Sequence, residues 1–141
     1  MTGSPTSSRA IVAGPARAWR TRHSRYGLVA SHCSACDDTA FPPARRCVSC
    51  GSRDLAERRL AGRGEIVVLA EDHSPLVGHG GRSTRPFAIV ALEEGVSVMA
   101  EIIDAEYDFL APGVPVELIV RKWRPEQTGL PLYGFKFRVA A

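Results

Sequence analysis

The chain has 141 residues, 45% of them hydrophobic and 23% charged, with a formal net charge of +3. That length holds one modest core, or a small module joined to a slightly larger one, and the composition is ordinary for a soluble globular protein. No apolar run approaches the roughly 18 residues of a membrane span, and the N-terminus lacks the apolar stretch of a secretory signal, so a cytoplasmic setting is expected.

The first 36 residues carry five arginines (Arg9, Arg17, Arg20, Arg22 and Arg25) and no carboxylate, while residues 37–141 carry 13 basic and 15 acidic side chains. A mitochondrial transit peptide has a similar composition. Arginine outnumbers lysine 16 to two along the whole chain, however, so the bias is general and a disordered tail is the better expectation. A basic surface confined to the N-terminal region argues against an extended nucleic-acid track.

In chain order, residues 1–15 are rich in Ser, Thr, Gly and Pro and are expected to be disordered. Pro15 suits the first position of a short helix over residues 16–25. Trp19 is its only large apolar residue, which predicts that the helix docks there on another surface. Residues 27–61 contain all four cysteines, and beyond Gly62 the pattern changes to the period-two alternation of strands. Five strands are predicted: Gly64 to Ala70, Phe87 to Leu92, Val96 to Ile103, Val114 to Trp123, and Tyr133 to Val139. Glu93-Glu94-Gly95 reads as a tight hairpin between the second and third. Residues 105–110 are long enough for one helical turn, ended by Pro112-Gly113. In the last strand Phe135, Phe137 and Val139 alternate with Lys136 and Arg138. The expectation is therefore a mainly β chain: residues 1–26 as tail and short helix, 27–61 as a metal ribbon, and 62–141 as a five-stranded OB-fold barrel. An open sandwich is the alternative. The longest connection, Glu71 to Pro86, contains Gly78, Gly80 and Gly81 and is of a length that is often functional.

Cys33, Cys36, Cys47 and Cys50 form two Cys-x2-Cys pairs ten residues apart. Paired cysteines in a reducing compartment point to metal rather than disulfides. Each pair can form a knuckle whose two thiolates point the same way, and two knuckles close a tetrahedron around zinc. A four-sulfur shell leaves no position for an activated water, so the role is structural. Iron in a rubredoxin-like site is the main rival. The large apolar residues of the ribbon are few (Leu28, Val29, Phe41, Val48, Leu55 and Leu60), too few to offset the ordering entropy of the segment, so metal binding and folding should be coupled. His32, beside Cys33, is read as an exposed neighbour rather than a ligand.

The stretch Cys33-x2-Cys36, Phe41-Pro42-Pro43-x-Arg45, Cys47-x2-Cys50-Gly51-Ser52 and Gly62-Arg63-Gly64, followed by Pro86 to Gly95 and Pro112 to Val116, resembles the acyl-CoA-associated zinc-ribbon/OB-fold family. Asp37 stands where that family usually has glycine after the second cysteine; aspartate tolerates a left-handed backbone better than most residues, so the knuckle should survive. Val48 replaces a common proline, and the usual Phe-Arg-Pro ending becomes Phe137-Arg138-Val139. The resemblance implies a non-catalytic accessory subunit of an acyl-CoA-processing complex. Such a subunit supports a thiolase-fold or ketosynthase-like acyltransferase and helps to shape its acyl-CoA entrance; a hot-dog-fold enoyl-CoA hydratase is the alternative partner. Trp19 and Phe41, with Tyr26, Pro42 and Pro43, are candidate partner contacts, and Arg82 and Arg85 are candidate contacts to CoA phosphates.

No catalytic constellation of its own is expected. Asp72, His73 and Ser74 are sequence neighbours in the glycine-rich connection without a rigid frame, and Gly78-His79-Gly80-Gly81 lacks the spacing of a phosphate-binding loop. A single-stranded nucleic-acid module is the remaining alternative, since ribbons and OB-folds both serve in that role. The excess of acidic groups in residues 62–141, 11 against eight basic, weighs against it.

Overall fold

Beyond Gly62 the alternation predicted from sequence becomes five strands that close on themselves. The computed structural model describes residues 15–73, 84–124 and 132–141. Two short helices, α1 (Pro15–Arg20) and α2 (Arg22–Tyr26), lead into a three-stranded sheet of β1 (Val29–Cys33), β2 (Thr39–Ala40) and β3 (Leu55–Arg59), in the order β2-β1-β3. The barrel follows: β4 (Arg63–Asp72), β5 (Arg85–Leu92), β6 (Ser97–Ile103), β7 (Pro115–Arg124) and β8 (Leu132–Val139), closed in the order β4-β5-β6-β8-β7. A 3₁₀ turn at Tyr107–Phe109 occupies the connection after β6 where one helical turn was expected. Closure removes free strand edges and settles barrel against open sandwich.

The Gly62-Arg63-Gly64 motif has a steric cause. Gly62 adopts φ +73°, and a Cβ there would lie 2.7 Å from the Leu118 Cβ. The Leu118 N–H donates to the Gly62 carbonyl at 2.7 Å. At Gly64 a Cβ would overlap the Ala91 carbonyl. Both glycines let β4 enter the barrel flush against its neighbours, so a side chain at either position forces strands apart.

The barrel interior is filled by Ile66, Val90, Val98, Ile102, Val116 and Phe137, each under 10% exposed. Leu28, Ala30 and Leu60, from the ends of β1 and β3, belong to the same cluster. The Leu60 N–H donates to the Leu28 carbonyl at 2.8 Å, so the base of the ribbon sheet is pinned where it enters the barrel core. Phe41 packs at the margin of this core, edge-on to Phe135 with ring centroids 6.0 Å apart.

Two expectations need correction. The helix over residues 16–25 is broken at Thr21, a β-branched residue at φ −94°, ψ 6°, where the chain turns before α2 begins. Lys136 sits on the polar side of the β8 alternation but is only 6% exposed, because α2 packs against β8 and Glu101 on β6 meets it with an ion pair of 2.7 Å. This pair spans the β6–β8 seam. That seam is the parallel contact of the barrel, with Ile102 opposite Phe137 and Ile103 opposite Arg138.

Candidate metal centre

Cys33 ends β1, and Cys36 follows on a tight turn; Cys47 and Cys50 sit on a second turn before β3. The two turns repeat one hydrogen-bond pattern. The Asp37 N–H donates to the Cys33 carbonyl at 2.9 Å, and the Gly51 N–H to the Cys47 carbonyl at 3.0 Å. The Cys33 N–H donates to the Asp38 carbonyl at 2.8 Å, and the Cys47 N–H to the Ser52 carbonyl at 2.9 Å. Closing each turn requires a left-handed residue, Gly51 at φ +75° and Asp37 at φ +65°. Aspartate therefore does at 37 what glycine does at 51, as its tolerance of that region allows.

The four sulfurs converge. Cys33 and Cys50 approach to 3.6 Å, Cys36 and Cys47 to 3.5 Å, and all four lie within 4.8 Å of one another. A tetrahedral ion with metal–sulfur bonds of about 2.3 Å requires sulfur–sulfur edges of roughly 3.8 Å, so the donor set fits a four-coordinate metal. Cys33 and Cys47 are buried and Cys36 and Cys50 exposed, which puts the centre at the ribbon surface with one side against protein.

Backbone N–H groups point at the sulfurs and pull the thiols toward ionisation, while sulfur–sulfur crowding opposes them. The Cys47 thiol is drawn down to about 7, first by the Cys50 N–H, which outweighs desolvation, with smaller help from Cys36 and the Ser49 N–H. Cys36 is pushed up to about 12: the Asp38 N–H lowers it, but hydrogen bonds with the Cys50 and Cys47 thiols, with desolvation and Cys33, outweigh that. Cys50 is raised despite the lowering influence of the Ser52 N–H and Cys36, through desolvation and the Cys33 and Cys47 thiols. Four thiolates this close cannot coexist without a cation. A divalent metal held by Cys33, Cys36, Cys47 and Cys50 would replace the shared protons and let all four thiols ionise.

His32 is not a ligand. Its Nε2 lies 3.2 Å from the Asp37 carboxylate and its Nδ1 3.2 Å from the Thr39 hydroxyl, so both ring nitrogens are occupied; it is half-buried rather than exposed. Sequence reasoning missed the Asp38 carboxylate. It accepts a 2.6 Å hydrogen bond from the Ser49 hydroxyl, joining the first turn to the second, with the Cys47 sulfur 3.9 Å away.

The other candidate residues fall in different places. Trp19 is 67% exposed, with the Arg22 guanidinium 3.8 Å above the ring, so among the described residues the expected docking of the helix through Trp19 is not found. Pro42 and Pro43 are exposed, Tyr26 is 40% exposed, and Phe41 is half-buried. Arg85 is largely buried, pairs with Asp72 and lies over the Phe87 ring. Arg82 lies outside the described residues. Asp72 is turned to Arg85 and His73 to Glu71; Ser74 lies outside the described residues. Among the described residues no helix is long and apolar enough to cross a membrane.

Fold and centre together define a four-cysteine ribbon joined to an OB-fold barrel. Two family models match this division: "ChsH2, rubredoxin-like zinc ribbon domain" over residues 24–56 and "ChsH2, C-terminal OB-fold domain" over residues 57–121. A "DUF35 domain-containing scaffold protein" of Pyrococcus furiosus is 35% identical over 123 residues, covering 86% of this chain and 90% of that protein. The chain belongs to this DUF35 family of zinc-ribbon/OB-fold proteins. The "Benzoylsuccinyl-CoA thiolase subunit BbsA" of Thauera aromatica is 28% identical, with 75% of this chain and 72% of that subunit covered. A "Probable enoyl-CoA hydratase alpha subunit" of Thermomonospora curvata is 32% identical over 75% of this chain but only 33% of its own length. Among solved structures, the "Ltp2-ChsH2(DUF35) aldolase" superimposes with a TM-score of 0.70 at 28% identity, covering 94% of this chain and 98% of that one.

Proposed function

We infer that this chain is a non-catalytic accessory subunit of an acyl-CoA-processing complex, with a structural zinc held by Cys33, Cys36, Cys47 and Cys50. The observation that carries the reading is the coverage of the relatives. The chain matches scaffold proteins over about nine-tenths of their length, matches a thiolase subunit over most of its length, and superimposes on nearly all of the DUF35 chain of an aldolase. The closed shell supports a structural role for the metal, because four thiolates leave no coordination position for substrate or water. Zinc suits a site built only from thiolate and needing no redox chemistry. Within this reading, residues 27–61 are the metal-held module and 62–141 the barrel.

The partner is a thiolase-fold enzyme on this reading. The enoyl-CoA hydratase relative favours a second arrangement, in which such a module accompanies a hydratase. Co-expression with the acyl-CoA enzymes encoded nearby, followed by mass spectrometry of the purified complex, separates the two. A thiolase-fold protein carried through purification in fixed stoichiometry is the expected result, and one equivalent of zinc per chain should accompany it. A monodisperse monomer that captures neither enzyme contradicts the accessory role.

A further inference from the structure

We propose that the ribbon surface is a docking face for an acidic surface of the partner enzyme, gripped by exposed arginines that meet no carboxylate among the described residues. The inference rests on the accessory-subunit reading and adds the face used and the charge of what it meets.

Residues 15–61 contain nine arginines and four carboxylates. Arg20, Arg45, Arg46, Arg53, Arg58 and Arg59 are exposed. None of these six makes an ion pair with a described residue, whereas the barrel holds Arg85–Asp72, Arg121–Asp104, Lys136–Glu101 and Arg138–Glu117. Two ribbon carboxylates are engaged elsewhere, Asp37 with His32 and Asp38 with Ser49. A divalent metal on four thiolates carries −2, which still leaves the region at +3. Guanidinium is weakly hydrated and preorganised for carboxylate, so an array that meets no carboxylate among the described residues is complementary to carboxylates brought by another chain.

The apolar residues beside it have the composition of an interface. Trp19, Tyr26 and Val48 are 67%, 40% and 84% exposed, and Trp, Tyr and Arg are the residue types that dominate protein–protein hot spots. β3 is the longer of the two edge strands of the ribbon sheet, and its Glu57, Arg58 and Arg59 are exposed. Charges there oppose strand addition, so contact runs through side chains. Nucleic acid fits less well: Arg22 covers the Trp19 ring on which a base would stack, and the adjoining barrel is net acidic. A free CoA fits less well too. The open cavity that includes Arg63 is also lined by Glu65, Glu93 and Glu117, which repel phosphate.

The test uses the full chain and the thiolase-fold enzyme encoded beside it. Binding is measured against NaCl concentration for the wild type, for Arg45→Glu/Arg46→Glu and for Arg58→Glu/Arg59→Glu, with bound zinc and circular dichroism recorded on each. The expected wild-type complex weakens about tenfold between roughly 50 and 300 mM salt. At least one double reversal should weaken it about tenfold at low salt, mainly through slower association, with zinc content unchanged. The Arg58/Arg59 pair lies away from the cysteines and covers the case in which the Arg45/Arg46 variant misfolds. If the partner binds but neither salt nor either folded reversal matters, the docking face is wrong and the accessory role stands. If the wild type binds no such enzyme, both fall. Equal, reversal-sensitive binding to single-stranded DNA or to CoA alone overturns the proposal. So does loss of zinc from the reversals, which would make the arginines counter-charges for the metal centre.

Discussion

Ribbon and barrel solve the same problem by opposite means. Among the described residues, eleven of the fourteen in the buried core lie between Ile66 and Phe137 in the barrel, and the ribbon contributes Leu28, Ala30 and Leu60. Toward its tip the ribbon has sulfur instead of hydrocarbon. The ion pairs divide the same way: Arg85, Arg121, Lys136 and Arg138 of the barrel meet carboxylates, while Arg45, Arg46, Arg53, Arg58 and Arg59 of the ribbon are exposed and make no ion pair among the described residues. The barrel is stabilised by apolar burial and is internally complete. The ribbon tip converges on four sulfurs suited to an ion, and its exposed arginines meet no carboxylate among the described residues. On the accessory role proposed above, the barrel is the rigid body and the ribbon the contact module.

Loss of the metal should break the comparison most strongly. Structural zinc contributes about 10–16 kcal/mol of apparent stability in small peptides, and Cys47→Ser removes a buried ligand. That variant should lose the ribbon contribution to circular dichroism and bind no zinc, while the barrel still unfolds cooperatively on heating. Acid should act in the same direction. Binding requires all four thiolates and releases their protons, and the metal-free thiols range from about 7 for Cys47 to about 12 for Cys36. Apparent zinc affinity therefore rises with pH and falls most steeply below about 7, where even Cys47 is protonated; chelator competition across pH reads it.

The next largest effect belongs to the barrel alone. Lys136→Met leaves Glu101 buried without its cation, at a cost of about 3–5 kcal/mol. Adding Glu101→Leu should recover most of the loss, since an apolar pair of similar volume is often neutral or stabilising. Denaturant unfolding of the three variants checks it, and zinc content should not change. Gly64→Ala sharpens the same side. A Cβ overlapping the Ala91 carbonyl should cost about 1–3 kcal/mol by forcing β4 from β5. The smallest effect belongs to the ribbon: Ser49→Ala removes the bond to Asp38 that joins the two cysteine turns, and zinc should transfer to a chelator about fivefold faster with barrel stability unaltered.

Much of this division is legible in the sequence. The five barrel strands carry clean period-two alternation, and each is found within two residues of its expected ends. The cysteine spacing gives the metal group directly. The left-handed backbone at Asp37 is expected from the resemblance, in which glycine usually follows the second cysteine, and the structure has it at φ +65°. What escapes is whatever depends on a second layer. Alternation assigns Lys136 to the outer face of β8, but it cannot say that α2 and Glu101 cover that face. Phe41 reads as exposed from its proline-rich surroundings and meets Phe135 only once ribbon and barrel pack. The Asp38–Ser49 bond joins residues 11 apart that meet only when both turns have closed. That Arg45, Arg46, Arg53, Arg58 and Arg59 meet no carboxylate among the described residues depends on where the carboxylates fall, which no linear count supplies.

The contrast between an ion-held ribbon and a hydrocarbon-held barrel is tested most directly by amide hydrogen exchange on the full chain, with and without a zinc chelator. Protection should collapse between Ser31 and Glu57 when the ion is withdrawn, while β4 to β8 keep theirs. Unchanged protection across the cysteine turns after complete metal removal, or loss spread evenly through the barrel, would contradict the account.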